Sequence, residues 1–265
     1  MPKKKLGQNF LIDAHVCEKI LKAADVNQGD VVLEVGPGMG SLTQGLLERV
    51  GEEGQVVAVE LDKQLVLVLG DLFRGRENFN LVQDDILRVD LQAILPAGRD
   101  IKVVANLPYY ITTPVILSLL ESPLPIRSIT IMVQKEVAQR MAAKPGTKDY
   151  GSLTLAVQYH AKVSLAANVP VNCFLPRPGV DSAVVHLEIL ETPPVDVDRD
   201  VFFRIIHGAF GQRRKTLLNA LSAAGFGASK DELAAMIESC GISPSVRGEA
   251  LGMAEFAALA GVLGG

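Results

Sequence analysis

Five consecutive residues, Asn106-Leu107-Pro108-Tyr109-Tyr110, join an amide, a proline-fixed backbone and aromatic rings directly after an apolar strand pattern. Such a stretch can trap the exocyclic amine of a nucleobase. The Asn106 amide oxygen and a backbone carbonyl of the Leu107–Pro108 turn would accept the two N–H bonds, while Tyr109 stacks on the ring that carries the amine. A second stretch, Val31 to Gly40 (VVLEVGPGMG), runs from a β-branched apolar segment into glycines at alternate positions, Gly36, Gly38 and Gly40. Glycines in a strand-to-helix turn tolerate positive φ and let a ligand lie against bare backbone. The helix N-terminus behind them offers unpaired N–H groups to an anionic group. The spacing is G-x-G-x-G rather than the G-x-G-x-x-G of dinucleotide enzymes, which counts against a nicotinamide dehydrogenase. Glu60 ends the next strand, Gln55 to Glu60, about 20 residues beyond the glycines, where an acid accepts hydrogen bonds from ribose hydroxyls. Asp84-Asp85 follows the third strand, where a carboxylate can accept from an adenine amine, although adjacent acids there also suit a plain solvated turn. Together these residues point to an adenosine-containing cofactor.

The elements that must position them follow from periodicity. A helix is expected over Asp13 to Ala24, with Asp13 as its cap and apolar positions Val16, Cys17, Ile20, Leu21 and Ala24. Ser41 is placed to cap a helix carrying Leu42, Leu46, Leu47 and Val50. Strands at Phe79–Gln83, Ile101–Ala105 and Ser128–Gln134 alternate with helices at Asp62–Phe73, near Asp90, from Thr113-Pro114 and over Lys135–Ala143. Repeated β-α units imply a mostly parallel sheet covered on both faces, with Ser182 to Leu190 as a closing antiparallel strand. The segment Thr192 to Asp198 is proline-rich and acidic, a linker by its chemistry, and every later pattern is helical. A domain boundary is therefore expected between residues 190 and 191, giving domains 1–190 and 191–265.

Composition bounds the answer further. The chain has 265 residues, 48% of them hydrophobic and 21% charged, with a net charge of −4. That balance does not advertise nucleic-acid binding, so any such role must rest on local basic patches. Candidates are Lys3-Lys4-Lys5, the group Lys135, Arg140, Lys144 and Lys148, and Arg204 with the run Arg213, Arg214 and Lys215, which suit phosphate contacts. The three cysteines, Cys17, Cys173 and Cys240, lie far apart and read as reduced structural thiols. The histidines read as ordinary helix or strand residues, and no metal spacing is visible. No secretory leader or membrane span is expected, and the chain reads as cytoplasmic.

Taken together, the motifs resemble those of the ribosomal RNA adenine dimethyltransferases, a branch of the S-adenosylmethionine-dependent methyltransferases. The resemblance rests on Gln8-Asn9-Phe10-Leu11, Glu34-Val35-Gly36-Pro37-Gly38-Met39-Gly40, Glu60, Asp85 and Asn106-Leu107-Pro108-Tyr109. It continues through Phe174 to Ser182 (FLPRPGVDS) and Phe210 to Lys215 (FGQRRK), covering nearly the whole chain. It implies an α/β fold, a Rossmann-like class I methyltransferase sheet with a small all-helical C-terminal domain, and S-adenosyl-L-methionine as cofactor. Asn9, Leu11, Glu34, Gly36, Gly38, Glu60, Asp85 and Asn106 would meet the cofactor. Asn106, Leu107, Pro108, Tyr109 and Phe174 would hold the target base, with Phe174 as the second face of a sandwich opposite Tyr109. The implied substrate is a pair of adjacent adenosines near the 3′ end of small-subunit ribosomal RNA in the immature 30S subunit, methylated by a monomer. Family relatives that modify large-subunit RNA in antibiotic resistance share the site motifs. A DNA adenine methyltransferase and a mainly non-enzymatic ribosome-assembly factor are competing readings of the same chain.

Overall fold

The computed structural model of the chain describes residues 8–264; the Lys3-Lys4-Lys5 cluster lies outside the described residues. In chain order the elements are β1 (Phe10–Leu11), α1 (Ala14–Ala23), β2 (Val31–Val35), α2 (Thr43–Val50), β3 (Gln55–Glu60), α3 (Lys63–Leu72), β4 (Phe79–Gln83), α4 (Leu91–Ile94), β5 (Ile101–Asn106), α5 (Thr112–Leu120) and β6 (Ile126–Gln134). They continue as α6 (Lys135–Met141), α7 (Ser152–His160), β7 (Ala161–Val169), β8 (Phe174–Leu175), β9 (Ser182–Ile189), α8 (Arg199–Gly211), α9 (Leu217–Ala223), α10 (Lys230–Ser239) and α11 (Met253–Leu263). None of these helices is long and apolar enough to cross a membrane. The chain divides into two compact units, Met1–Ala138 with Lys162–Ile189, and Gln139–Ala161 with Leu190–Gly265.

In the first unit the strands form a seven-stranded sheet of order β4-β3-β2-β5-β6-β9-β7. β2 pairs in parallel with both β3 and β5, β3 with β4, and β5 with β6, while β9 runs antiparallel to β6. Continuous apolar runs explain the central strands: all of β2 is buried, as a strand covered on both faces must be. Short polar caps set the helix starts. Asp13 accepts from the His15 and Val16 N–H groups at 2.9 and 3.2 Å, a cap worth about 1 kcal/mol. The chain builds β2, β3 and β4 outward in one direction and then returns to lay β5 on the other side of β2. Strand order reverses there, and such a reversal opens a crevice at the carboxyl ends of the strands.

A small second sheet pairs β1 antiparallel with β8, Phe10 opposite Leu175 and Leu11 opposite Phe174. It brings together two motifs that are far apart in the chain. The expectation for Ser41 is corrected. Its hydroxyl donates to the Leu11 carbonyl at 2.9 Å, tying the β1 arm to the glycine turn, and α2 starts at Thr43 with no side-chain cap among the described residues.

The second unit packs Phe202, Ile206, Leu217, Leu221, Leu233, Ile237 and Phe256 around one core. The single boundary expected at 190/191 does not describe this unit, because Gln139–Ala161 belongs to it. Tyr150 and Tyr159 are buried in the same core, and the Tyr150 hydroxyl donates to the Leu251 carbonyl at 2.8 Å. The expected linker is also anchored. Val195 and Val197 pack on this core, and Asp198 caps α8 by accepting from the Asp200 and Val201 N–H groups.

Candidate active site

The carboxyl ends of β2, β3, β4 and β5 open into one cleft of about 1010 Å³, its mouth included. Among the expected residues, Asn9, Leu11, Glu34, Gly36, Gly38, Glu60, Asp85, Asn106, Leu107, Pro108 and Tyr109 all line it. Register explains the convergence: Glu60 ends β3 beside Gln83, and Asn106 ends β5 beside Met132, so the chain after each strand leaves from the same edge.

The glycine turn forms the floor. Gly36 and Gly38 adopt φ of 67° and 60°, a region L side chains rarely enter. Among the described residues a Cβ at Gly36 would meet nothing within 4 Å, so this backbone faces the cleft, whereas a Cβ at Gly38 would lie 3.2 Å from the Phe10 ring. The Gly38 N–H donates to Glu60 Oε2 at 3.2 Å, and the Asp62 N–H donates to Glu60 Oε1 at 2.8 Å. Burial pushes the Glu60 carboxyl up, opposed by these two N–H bonds. Gln8 Nε2 in turn donates to Asp62 Oδ2 at 3.1 Å. Asp85 is fixed by the Leu87 N–H at 3.0 Å on Oδ1.

Glu34 is 1% exposed. Its Oε2 accepts from the Thr43 hydroxyl at 2.7 Å, and its Oε1 has no partner among the described residues. Burial is the main cause that pushes this carboxyl up to about 8; the Thr43 bond opposes the rise and the nearby Glu60 charge adds to it.

At the other wall, Asn106 Nδ2 donates to the Asn9 carbonyl at 3.2 Å. Only the NH₂ group can meet a carbonyl, so Oδ1 is left as the acceptor of this side chain. The Pro108 carbonyl is engaged by both the Thr112 hydroxyl and the Ile111 N–H, each at 3.2 Å. Of the two carbonyls in the turn, that leaves Leu107 for a ligand. The Tyr109 hydroxyl lies 2.7 Å from Ser182 Oγ on β9, which fixes its ring at the cleft.

Two expected site residues are placed differently. Phe174 is 2% exposed and packs in the core with Leu11, Val16 and Cys173; it does not line the cleft. Pairing of β8 with β1 turns its side chain inward, so it is not the second face of a base sandwich in this structure. Arg213 in the second unit donates to the Lys148 and Tyr150 carbonyls, both at 3.0 Å, and pairs with Glu249 at 3.7 Å. It braces a loop. Arg214 and Lys215 are exposed, with no ion pair among the described residues. Phe10 and Tyr110, quoted within the motifs but given no role of their own, also line the cleft, as do Ser41 and Ile86. Only the adjacency of Phe10 to Asn9, and of Tyr110 to Tyr109, could have signalled them.

The donor set has one chemical character. Glu34, Glu60, Asp84 and Asp85 line the cleft, and no lysine, arginine or histidine does among the described residues. A ligand that fits carries positive charge and hydroxyl or amine donors. S-adenosylmethionine meets that description with its sulfonium, ammonium, ribose and adenine groups, and the orphaned Glu34 oxygen, the bare Gly36 backbone and the Glu60 carboxyl suit it.

Comparison with known proteins agrees. A solved dimethyladenosine transferase from Plasmodium falciparum superposes with a TM-score of 0.76 at 26% identity, covering 94% of this chain and 95% of that one. The 23S rRNA methyltransferase ErmE shares the fold, with a TM-score of 0.72 at 24% identity over 97% of this chain and 100% of its own. The sheet and its cleft therefore define a Rossmann-like class I methyltransferase. Curated relatives called Ribosomal RNA small subunit methyltransferase A are 49% identical in Lachnoclostridium phytofermentans, over 98% of this chain and 91% of the relative, and 45% identical in Clostridioides difficile, over 98% and 90%. The profile of the family described as Ribosomal RNA adenine dimethylase matches residues 2–262, and the chain belongs to that family.

Proposed function

We propose that the protein transfers methyl groups from S-adenosylmethionine to the exocyclic amines of two adjacent adenosines near the 3′ end of small-subunit ribosomal RNA. The product is N(6)-dimethyladenosine, formed in the cytoplasm on the immature 30S subunit. The observation that carries this proposal is a cleft with four acidic side chains and no cationic one among the described residues, closed on one side by the Asn106–Tyr110 turn. Family membership and the names of the relatives support the choice of small-subunit over large-subunit RNA. Mass spectrometry of ribosomal RNA from cells lacking the protein tests the choice: two adjacent adenosines near the 3′ end should lose their methyl groups. Loss confined to large-subunit RNA would contradict it.

When bound, S-adenosylmethionine supplies an electrophilic methyl group on its sulfonium. Glu60 would hold the ribose hydroxyls and Asp85 the adenine amine, while Glu34 would line the methionine end beside Gly36. Asn106 Oδ1 and the Leu107 carbonyl would accept the two N–H bonds of the target amine. That amine is a poor nucleophile because its lone pair is delocalised into the ring. Two acceptors favour a pyramidal nitrogen and aim the lone pair along the line of displacement, a positioning effect. Tyr109, pinned by Ser182, would stack on the base. No strong general base is required, since an alkylated amine sheds its proton readily. Stacking also lets the base re-enter after one methylation, when only one N–H remains.

Arg214 and Lys215 are proposed to bind RNA phosphates. Replacing both with neutral residues should reduce the log–log salt slope of RNA binding by about 0.7–0.9 for each phosphate no longer neutralised, with cofactor affinity unmoved. Arg213 should be left intact in that experiment, since it braces the Lys148–Tyr150 loop. An unaltered slope would mean that the two residues are only a solvated face.

A further inference from the structure

Tyr109 and Tyr110 are neighbours in sequence but not in role. Both line the cleft. Tyr109 is tied by its hydroxyl to Ser182 at 2.7 Å. Tyr110 is 57% exposed at the mouth, and its hydroxyl has no hydrogen bond among the described residues. The two open a short 3-10 turn, Tyr109–Ile111, in which successive side chains diverge by roughly a third of a turn. One ring therefore points toward the amine-holding wall and the other outward. The turn itself is held by the Ile111 N–H and the Thr112 hydroxyl on the Pro108 carbonyl, so the outer ring projects from a braced backbone. A large aromatic face left in water at the rim of a binding cleft has a specific use if a flat partner arrives with the ligand.

Resting on the RNA substrate proposed above, we propose that Tyr110 is a stacking platform for the nucleotide adjoining the target adenosine. When the target base leaves its stack and enters the cleft, its neighbour loses a stacking partner. The Tyr110 ring replaces that face. Stacking tolerates any base but requires one. Tyr110 thus reads the presence of an adjacent base, and the two consecutive tyrosines match two consecutive nucleotides. The RNA strand runs in one direction through the cleft, so the platform takes the neighbour on one fixed side of whichever adenosine is the target.

The test uses the whole protein, small subunits carrying unmethylated RNA, and matching subunits reconstituted with an abasic residue beside the target adenosine. On intact RNA, Tyr110→Ala should lower kcat/KM for the subunit about tenfold or more, with cofactor affinity unmoved. Tyr110→Phe and Tyr110→Trp should restore it, because the ring face and not the hydroxyl is used. On the abasic substrate the wild type and Tyr110→Ala should be equal. An equal loss on both substrates, no loss on either, or failure of Tyr110→Phe to rescue would each overturn the assignment of Tyr110 while leaving the reaction intact. A wild type that methylates neither adenosine of the intact subunit would overturn the substrate proposal, and the Tyr110 assignment with it.

Discussion

Asn106→Ala should lower methyl-transfer turnover by about 10²–10³ at saturating cofactor, with a far smaller change in RNA affinity. The asymmetry follows from what the side chain does. Its Nδ2 is fixed on the Asn9 carbonyl at 3.2 Å, so its Oδ1 is presented to the cleft as an acceptor before any ligand arrives. Alanine removes that acceptor but leaves Tyr109 and its bond to Ser182, so the base can still stack. A group that aligns the nitrogen lone pair mainly as the methyl moves acts on the transition state, and its loss falls on kcat more than on binding. The variant also loses the bond to the Asn9 carbonyl on the cofactor side of the cleft, and for that reason the comparison is made at saturating cofactor. Asn106→Asp keeps an acceptor but cannot donate to the Asn9 carbonyl, so it should recover only part of the loss. Single-turnover transfer to unmethylated small subunits measures both. Near-normal turnover in Asn106→Ala would reduce the Asn106–Tyr110 stretch to a turn.

Glu34→Gln should flatten the pH dependence of stability. The Glu34 carboxyl is pushed from an ordinary value of 4.5 up to about 8 in the folded protein, mainly by burial. Between those two values the unfolded chain has lost the proton and the folded one keeps it. The stability that a protonated Glu34 supports is fully present below pH 4.5, falls as pH rises, and is lost once pH passes about 8. At about 1.36 kcal/mol per pH unit, the whole change is on the order of 4–5 kcal/mol. Glutamine stays neutral throughout and can still accept from the Thr43 hydroxyl. Other titrating groups, including Glu60 and His186, are common to both proteins and largely cancel in the difference. Urea midpoints measured from pH 5 to pH 8.5 should therefore show the variant gaining steadily on the wild type. Parallel curves would mean that Glu34 is already ionised in the folded state.

Much of this site is legible in the sequence because it is built from local signals at strand ends. The VVLEVGPGMG stretch combines a buried β-branched run with glycines that need positive φ, and Gly36 and Gly38 have it. Glu60, Asp85 and Asn106 close or follow apolar strands, and parallel register then carries them to one edge. What stayed hidden depends on partners far along the chain. Two-residue strands have no period, so nothing announced that Phe10–Leu11 pairs with Phe174–Leu175, or that the pairing would bury Phe174. The Tyr150 hydroxyl finds its carbonyl 101 residues away, which is why Gln139–Ala161 could not be assigned to the helical unit from its own pattern. β7 was also silent: it is rich in small residues and largely exposed, without the alternation that marks a half-buried strand. A basic residue looks the same in sequence whether it meets phosphate or, as Arg213 does, backbone carbonyls of its own unit.

The most direct measurement is mass spectrometry of both ribosomal RNAs after the purified protein is incubated with S-adenosylmethionine and ribosomal subunits from cells that lack it. The expected result is N(6)-dimethyladenosine at two adjacent positions near the 3′ end of the small-subunit RNA, and none when the cofactor is omitted. Methylation of large-subunit RNA alone, or of neither RNA, would contradict the account.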